Sequence, residues 1–201
     1  MRKIIAYDRV SADGYFSTPD GGLNWTVPDP EIERGAADSS AQGPGTMLFG
    51  RRTYDMFESF WPHAVDDSDS SPDPHRAGRR NPELRAMATY INEATKIVFS
   101  KTRDAVTWKN SQLRREIDAA EIEALKREPG RDIMLFGSGS VASRLSELGL
   151  VDEYTLIVSP VLLGAGKSLI AGVPNHVKLE LLEAKPSAAG NVLLRYARAT
   201  R

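Results

Sequence analysis

The alternation of short apolar runs with helix-length segments is the feature that most constrains the fold of this chain. Along most of the sequence each run ends in glycine or hydroxyl residues and an amphipathic segment follows, which is typical of βα units. The runs predicted to be strands are RKIIAYDRV, TMLFG, KIVFS, AVTWKN and DIMLF, at residues 2–10, 46–50, 96–100, 105–110 and 132–136. Helices are predicted to begin at Pro30 and directly after TMLFG, to cover residues 82–94 and 117–128, and to run from the GSGS turn to Leu148.

The C-terminal part of the chain has a different pattern. Its predicted strands, EYTLIVSPVLL, VKLELLEAK and NVLLRYAR, are separated by turns that contain Gly and Pro, without helices. Strands joined by turns pair antiparallel, whereas strand–helix–strand units give parallel pairs. The sequence therefore predicts one α/β domain over residues 1–201, with a central mixed, mostly parallel sheet flanked by helices and antiparallel C-terminal strands.

A polar segment interrupts this pattern at residues 62–82. It is rich in Pro, Ser and Asp and has hardly any apolar side chains, so it cannot bury enough surface to offset the entropy of ordering it. Because strands and helices are predicted on both sides, we expect a long mobile loop within the domain.

Composition excludes several classes of function. The formal net charge is −1 and there is no cysteine, which argues against a general nucleic-acid binder and excludes disulfides and thiolate metal sites. His63, His75 and His176 have no metal-ligand spacing, so no metal site is predicted. The apolar run near the N-terminus is too short for the core of a signal peptide, and no apolar run is long enough to span a membrane. We expect a cytoplasmic protein whose partner is a small molecule, with neither nucleic acid nor membrane.

The glycine-rich turn Gly137–Ser140 is the strongest local signal for ligand binding. It joins a buried strand to a helix, where glycines let the backbone approach a ligand and free N–H groups attract phosphate. A tight structural turn is the alternative. Residues 137–142 also fit G-x-G-x-x-A. A Rossmann fold is not favoured, because it requires an acid at the end of the following strand, whereas Asp152 and Glu153 lie at its beginning.

Two other strand ends carry groups that suit phosphate. Gly50-Arg51-Arg52-Thr53 offers two guanidinium groups beside a helix N-terminus, although a solvated basic helix start has the same sequence. Ser100-Lys101-Thr102 offers hydroxyls and a cation after the strand KIVFS. Three such strand ends together favour a phosphate-bearing ligand more than any one of them.

Several of these segments resemble dihydrofolate reductase-like proteins. The segments VSADGYFSTPDGGLNW, MLFGRRTYDMFESFW, KIVFSKT, DIMLFGSGSVASRL and DEYTLIVSPVLLGAGKSL occur in the order seen in that family. The chain is most similar to the bacterial group related to the reductase domain of riboflavin biosynthesis, over roughly residues 2–170. The resemblance implies a dihydrofolate reductase-like fold, NADPH as cofactor, and a possible homodimer with the apolar stretch 154–163 as its contact.

The resemblance also implies roles for individual residues. The residues that would contact the cofactor phosphates are Gly50, Arg51, Arg52 and Thr53, with Ser100, Lys101 and Thr102 at the 2′-phosphate and Gly137, Ser138, Gly139 and Ser140 at the pyrophosphate. Asp13, within the S-x-D-G element, and Trp25 would border the substrate pocket. Asp29 and Glu31 match an acid that supports protonation of the substrate. Alternatively, Asp29 caps the helix and Glu31 interacts with its dipole.

Together these observations predict an NADPH-dependent reductase of a small heterocyclic or carbonyl substrate. Two alternatives remain at this stage. The first is the 5-amino-6-(5-phosphoribosylamino)uracil reductase of riboflavin biosynthesis. The second is a nucleotide-binding protein without catalytic activity.

Overall fold

The computed structural model describes residues 1–40, 43–64 and 82–199. Its strands are β1 Ile4–Ser11, β2 Tyr15–Ser17, β3 Thr46–Gly50, β4 Thr95–Phe99, β5 Ser111–Arg114, β6 Ile133–Phe136, β7 Glu153–Ser159, β8 Lys167–Ser168, β9 Leu179–Pro186 and β10 Val192–Arg198. Its helices are α1 Pro30–Ser40, α2 Arg51–Phe60, α3 Pro82–Glu93, α4 Ala119–Arg127 and α5 Gly139–Glu147. The loop predicted at residues 62–82 falls almost entirely outside the described residues.

The main sheet has eight strands in the order β5-β4-β3-β6-β1-β7-β10-β9. The neighbouring strands from β5 to β7 are parallel, and β10 pairs antiparallel with both β7 and β9. A small second sheet joins β2 to β8. The predicted α/β fold with a mixed, mostly parallel sheet and antiparallel C-terminal strands is confirmed.

Alternating side chains place a core on each face of the sheet. In β3, which is buried throughout, Leu48 packs in one apolar cluster while Met47 and Phe49 pack in the other. The first cluster joins β1 and β6 to α5, and the second joins β3 and β4 to α2 and α3. A strand covered on both faces reads as a continuous apolar run, which is why TMLFG was recognisable in the sequence.

The prediction of a strand at residues 105–110 is wrong, because the strand in this region is β5, Ser111–Arg114. The Trp108 N–H donates to side chains of α2, with Tyr54 Oη at 3.3 Å and Glu58 Oε1 at 3.1 Å, instead of to a neighbouring strand. Asn110 has a φ of 59°, in the left-handed region that a strand does not use. The apolar character of this segment therefore reflects packing of Trp108 into the core.

The apolar stretch 154–163, expected as a homodimer contact, is not a sheet edge. β7 lies between β1 and β10, and Tyr154 and Ile157 are buried in the core. The edge on this side of the sheet is β9, and the homodimer itself stays a prediction. Within the described ranges, no helix combines the length and the apolar character needed to cross a membrane.

Candidate active site

A cavity of about 1810 Å³ runs along the carboxyl ends of adjacent parallel strands. β4, β3, β6 and β1 are consecutive in the sheet, and the turns that follow β4, β3 and β6 line the cavity. Ligands of open α/β sheets bind at this edge. The three turns that the sequence predicted for phosphate therefore lie together, although they are far apart along the chain.

Two helices begin at this edge without a side-chain cap. The N-cap residues are Gly50 for α2 and Ser138 for α5. Gly50 has no side chain to serve as a cap, and the Ser138 hydroxyl accepts no hydrogen bond from its own helix. The Ser138 hydroxyl instead accepts a hydrogen bond from the Gly50 N–H (2.7 Å) and donates to Thr53 Oγ1 (2.9 Å). This hydroxyl joins the two helix N-termini side by side, so their partial positive charges face the same cavity.

The glycines of the turn before α5 have separate roles. Gly137 has a φ of +52°, and a Cβ there would come within 3.0 Å of Thr53 Oγ1. A Cβ on Gly139 would lie 3.1 Å from the Leu169 carbonyl oxygen and 3.1 Å from the Phe16 ring. Gly139 therefore lets α5 pack against the segment after β8, and its predicted place beside a cofactor phosphate stays a prediction.

Cationic side chains lie beside the two helix N-termini. Arg51 and Arg52 are exposed on the first turn of α2 and line the cavity. The Arg51 guanidinium lies 3.7 Å from Asp55, whereas Arg52 forms no ion pair with the part of the chain that the structure describes. Lys101 is exposed after β4, at the far side of the same edge. The arrangement provides backbone N–H groups at the centre and cations on one side, which suits an extended ligand with more than one phosphate.

The turn after β4 is held by its serine. The buried Ser100 hydroxyl oxygen accepts hydrogen bonds from the backbone N–H groups of Thr102 (3.3 Å) and Arg103 (3.0 Å). This pairing leaves Lys101 and Thr102 exposed to the cavity. Ser100 thus shapes the turn, and the two residues after it are available to a ligand.

Asp29 has the geometry of a helix cap. Its buried carboxylate accepts hydrogen bonds from the N–H groups of Glu31 (3.1 Å) and Ile32 (3.2 Å), and from the side chains of Asn191 (3.0 Å) and Ser187. Burial favours a higher pKa, but these hydrogen bonds outweigh it and hold the pKa of Asp29 below its ordinary value. Asp29 does not line the cavity. The geometry supports the capping alternative, and a role in protonation stays a prediction.

Glu31 does line the cavity, on the first turn of α1. Its carboxylate lies 2.6 Å from Lys185 Nζ on the edge strand β9. Of the two acids predicted from the sequence, Glu31 is the one that a substrate in the cavity can reach.

Asp13 and Trp25, predicted at the substrate pocket, are not among the residues that line the cavity. The Asp13 carboxylate accepts hydrogen bonds from the Ser11 hydroxyl (2.6 Å) and from the N–H groups of Leu163 (3.1 Å) and Gly164 (2.7 Å). These bonds, that from Ser11 above all, hold the pKa of Asp13 below its ordinary value. Asp13 therefore fastens the loop after β7 to the turn after β1, and its role toward a substrate stays a prediction.

Sequence reasoning missed three polar residues near the end of β1: Tyr7, Asp8 and Arg9, all of which line the cavity. Tyr7 lies opposite Phe136 and Thr155 in the sheet register, with its ring 5.8 Å from that of Phe136. Burial raises the pKa of the Tyr7 phenol, and Arg9 partly offsets this shift. The available signal was a Tyr-Asp-Arg sequence inside an otherwise apolar strand.

The mixed, mostly parallel sheet flanked by helices defines an α/β protein of the dihydrofolate reductase-like class. More particularly, the chain belongs to the RibD C-terminal domain family, whose model matches residues 2–193. This confirms the resemblance inferred from the sequence. Among the described residues, no cluster of three or more His, Asp or Glu side chains is placed to hold a metal ion.

Individual relatives agree with this assignment. The chain is 30% identical over 196 residues to the uncharacterized protein YyaP of Bacillus subtilis (strain 168), covering 98% of this chain and 95% of YyaP. A putative riboflavin biosynthesis protein from Shewanella sp. PV-4 has a similar structure, with a TM-score of 0.71, 21% identity, and coverage of 98% and 99% of the two chains. Dihydrofolate reductase from Enterococcus faecalis, complexed with NADP(H), matches with a TM-score of 0.61 and 14% identity, over 98% and 97% of the chains.

Proposed function

We propose that this protein is an NADPH-dependent reductase that acts on a small heterocyclic or carbonyl substrate. The observation that carries the proposal is the pair of uncapped helix N-termini, joined through the Ser138 hydroxyl and flanked by Arg52 and Lys101. Such a site suits the pyrophosphate and the separate 2′-phosphate of NADPH. The NADP(H) bound to the Enterococcus faecalis reductase supports the same choice of cofactor.

The residues of the edge divide among the parts of the cofactor. The Gly137–Ser140 turn and the N-terminus of α5 would hold the pyrophosphate, with Arg52 beside it. Lys101 and Thr102 would hold the 2′-phosphate. When bound, NADPH supplies a hydride, and the remaining task of the protein is to orient the substrate and provide a proton.

Two side chains that line the cavity can serve the proton transfer. The Tyr7 phenol makes no hydrogen bond with the described residues and, because burial raises its pKa, stays protonated at neutral pH. Glu31, on the first turn of α1, lines the same cavity. We assign Tyr7 as the donor to the reacting oxygen or nitrogen, with Glu31 as the second candidate.

NADPH binding and turnover test the proposed function directly. Calorimetry should show tighter binding of NADPH than of NADH, because the cations would meet the 2′-phosphate that NADH lacks. Absorbance at the wavelength of reduced nicotinamide then follows NADPH oxidation with 7,8-dihydrofolate and 4-nitrobenzaldehyde as probes. Equal affinities for NADPH and NADH would overturn the cofactor assignment, and tight binding without any turnover would favour the non-catalytic alternative.

The Tyr7→Phe variant tests the donor. It should lower kcat with little change in KM or in NADPH affinity, whereas Tyr196→Phe, on β10 and outside the cavity lining, serves as the matched control. Unchanged kcat in Tyr7→Phe would move the role to Glu31, which Glu31→Gln tests in the same way.

The uracil reductase of riboflavin biosynthesis is a second candidate. It is favoured by the family match and by Arg9, which lines the cavity beside Tyr7 and offers a cation for a phosphate on the substrate side. Product analysis after incubation with the phosphoribosylated aminouracil distinguishes the two functions.

A further inference from the structure

Asp8 is a buried carboxyl group that forms no hydrogen bond with the described residues. It lies in β1 with 7% of its surface exposed, and its Oδ2 atom has no hydrogen-bond partner in that part of the chain. A buried polar atom left unpaired costs free energy, so its presence calls for an explanation such as a missing ligand. The proposed function does not use this residue.

The position of Asp8 points to the ligand cavity. Side chains alternate along β1, and Ile4 and Ala6 pack against α5 in the core, so Asp8 faces the α5 side of the sheet. Tyr7 is the register partner of Phe136, the last residue of β6. Asp8 follows Tyr7 in β1, and Gly137 follows Phe136 in the turn after β6. The carboxyl group therefore lies level with the turn that begins α5, and it lines the cavity there.

The surroundings of Asp8 favour its neutral form. Burial raises the pKa of Asp8 well above its ordinary value, and no cation among the described residues offsets this shift. A neutral carboxylic acid carries one O–H donor beside one carbonyl acceptor. The complementary group on a ligand has an N–H beside a carbonyl, because two parallel hydrogen bonds can then form. A carboxamide has this arrangement, and so does the lactam of an oxopyrimidine such as uracil.

We propose that Asp8 holds the amide-bearing ring of the ligand, through paired hydrogen bonds between its carboxylic acid and an N–H/C=O group of that ring. This inference rests on the proposed function. Two rings could supply the group: the nicotinamide of the cofactor, through its carboxamide, or a heterocyclic substrate, through a lactam. A carboxylate or a phosphate without a P–OH group cannot fill the role, because neither can donate a hydrogen bond to the carbonyl of Asp8.

The cofactor arm of the test uses NADP⁺ and its 3-acetylpyridine analogue, in which a methyl group replaces the amide nitrogen. Calorimetry on the whole protein should show that the wild type binds NADP⁺ roughly tenfold more tightly than the analogue, the effect of about one hydrogen bond. Asp8→Leu should lose this preference, while its preference for NADP⁺ over NAD⁺ is unchanged. Asp8→Asn, which keeps a donor beside an acceptor, should retain most of it.

The substrate arm uses uracil as a lactam probe, titrated into protein saturated with NADP⁺. If the heterocycle is the ring that Asp8 holds, the wild type and Asp8→Asn bind uracil, Asp8→Leu does not, and all three treat the acetylpyridine analogue alike. If Asp8→Leu changes neither the preference for NADP⁺ over its analogue nor the affinity for uracil, the inference is overturned.

Stability separates a ligand-binding role from a structural one. Without ligand, Asp8→Leu should raise the urea midpoint, because an apolar side chain replaces an unpaired polar one. A lower midpoint together with equal loss of affinity for every ligand would mean a structural role and would overturn the inference. If the wild type fails to bind NADP⁺ at all, the proposed function fails, and a titration of uracil into the protein without nucleotide then decides the role of Asp8.

Discussion

At the scale of single residues, Ser138 links the N-termini of the two helices that we propose to bind the cofactor phosphates. It is buried, adopts the left-handed conformation with a φ of 61°, and directs its hydroxyl across to the next strand end instead of capping its own helix. The helix N-termini stay uncapped, so their N–H groups remain available to an anion. The same hydroxyl thus contributes both to folding and to the electrostatics of the site.

The Ser138→Ala variant tests this dual role. It leaves the buried Gly50 N–H without an acceptor, so the free energy of unfolding should fall by about 1–3 kcal/mol. Affinity for NADPH should fall as well, since α2 loses its fixed position relative to α5. Urea denaturation and calorimetry on the same preparation measure both effects. Ser140→Ala, at the exposed residue two positions later, is the matched control, and an equal loss of stability there would contradict the assignment.

Arg52 carries the clearest prediction for ligand affinity. Its guanidinium lines the cavity and has no competing ion pair within the described residues. Loss of a charge-assisted hydrogen bond costs about 1.5–3 kcal/mol, so Arg52→Ala should weaken NADPH binding roughly 10- to 150-fold. Arg127→Ala, at an exposed residue of α4 outside the cavity lining, should leave the affinity unchanged. Similar titration curves for the two variants would remove Arg52 from the site.

At the scale of secondary-structure elements, two glycines in helices have opposite environments. A Cβ on Gly139 would meet the Ser168 and Leu169 carbonyl oxygens at 3.2 and 3.1 Å, whereas a Cβ on Gly35 in α1 would meet nothing within 4 Å. Gly139→Val should therefore destabilise the protein by about 1–3 kcal/mol through overpacking. Gly35→Ala should stabilise it by about 0.5–1 kcal/mol through helix propensity. Urea midpoints that shift in the same direction would contradict this contrast.

Lys96 closes the C-terminal end of α3 and carries a pH dependence. Its buried ammonium donates to the carbonyl oxygens of Ile91, Asn92 and Ala94 at 2.8–2.9 Å, and burial lowers its pKa from 10.5 to about 8. Between these two pH values the unfolded chain binds more protons than the folded one, so the contribution of Lys96 to the free energy of unfolding rises with pH. Relative to Lys96→Met, the wild type should gain about 1–2 kcal/mol between pH 7.5 and 9.5.

Urea denaturation of both proteins at these two pH values measures that gain. Tyrosines that titrate at higher pH contribute equally to the two proteins and cancel in the difference. A difference that is the same at both pH values would show that Lys96 keeps its ordinary pKa, with the three carbonyl oxygens compensating for burial.

The elements themselves could be predicted where the local pattern decides the structure. TMLFG is apolar on both faces and is followed by a helix start, so β3 and α2 have the predicted positions. The structure of residues 105–110 could not be predicted. The partners of the Trp108 N–H are Tyr54 and Glu58, which lie 54 and 50 positions earlier in the sequence. Local sequence does not reveal which distant side chains will satisfy a backbone group.

At the scale of the whole molecule, the site follows from the order of the strands. The phosphate turns could be predicted because the carboxyl ends of parallel strands meet at one edge. Tyr7 and Asp8 could not, since their roles depend on which face of β1 each side chain occupies and on where the cavity crosses the sheet. The burial of β7 between β1 and β10 likewise depends on strand order, which the local sequence does not specify.

A ligand held at this edge should stabilise the entire domain. The cavity is lined by the turns that follow β3 and β6, and these two strands contribute side chains to both apolar clusters. NADPH at one hundred times its Kd should therefore raise the free energy of unfolding by about 2.7 kcal/mol in one cooperative urea transition. NADH at the same concentration should raise it less, because without the 2′-phosphate it lacks the contacts of Lys101 and Thr102. Amide exchange in β3, β6 and α5 should slow together with the global shift. Two separate transitions, or equal stabilisation by the two nucleotides, would mean that the nucleotide binds away from the shared edge of the sheet.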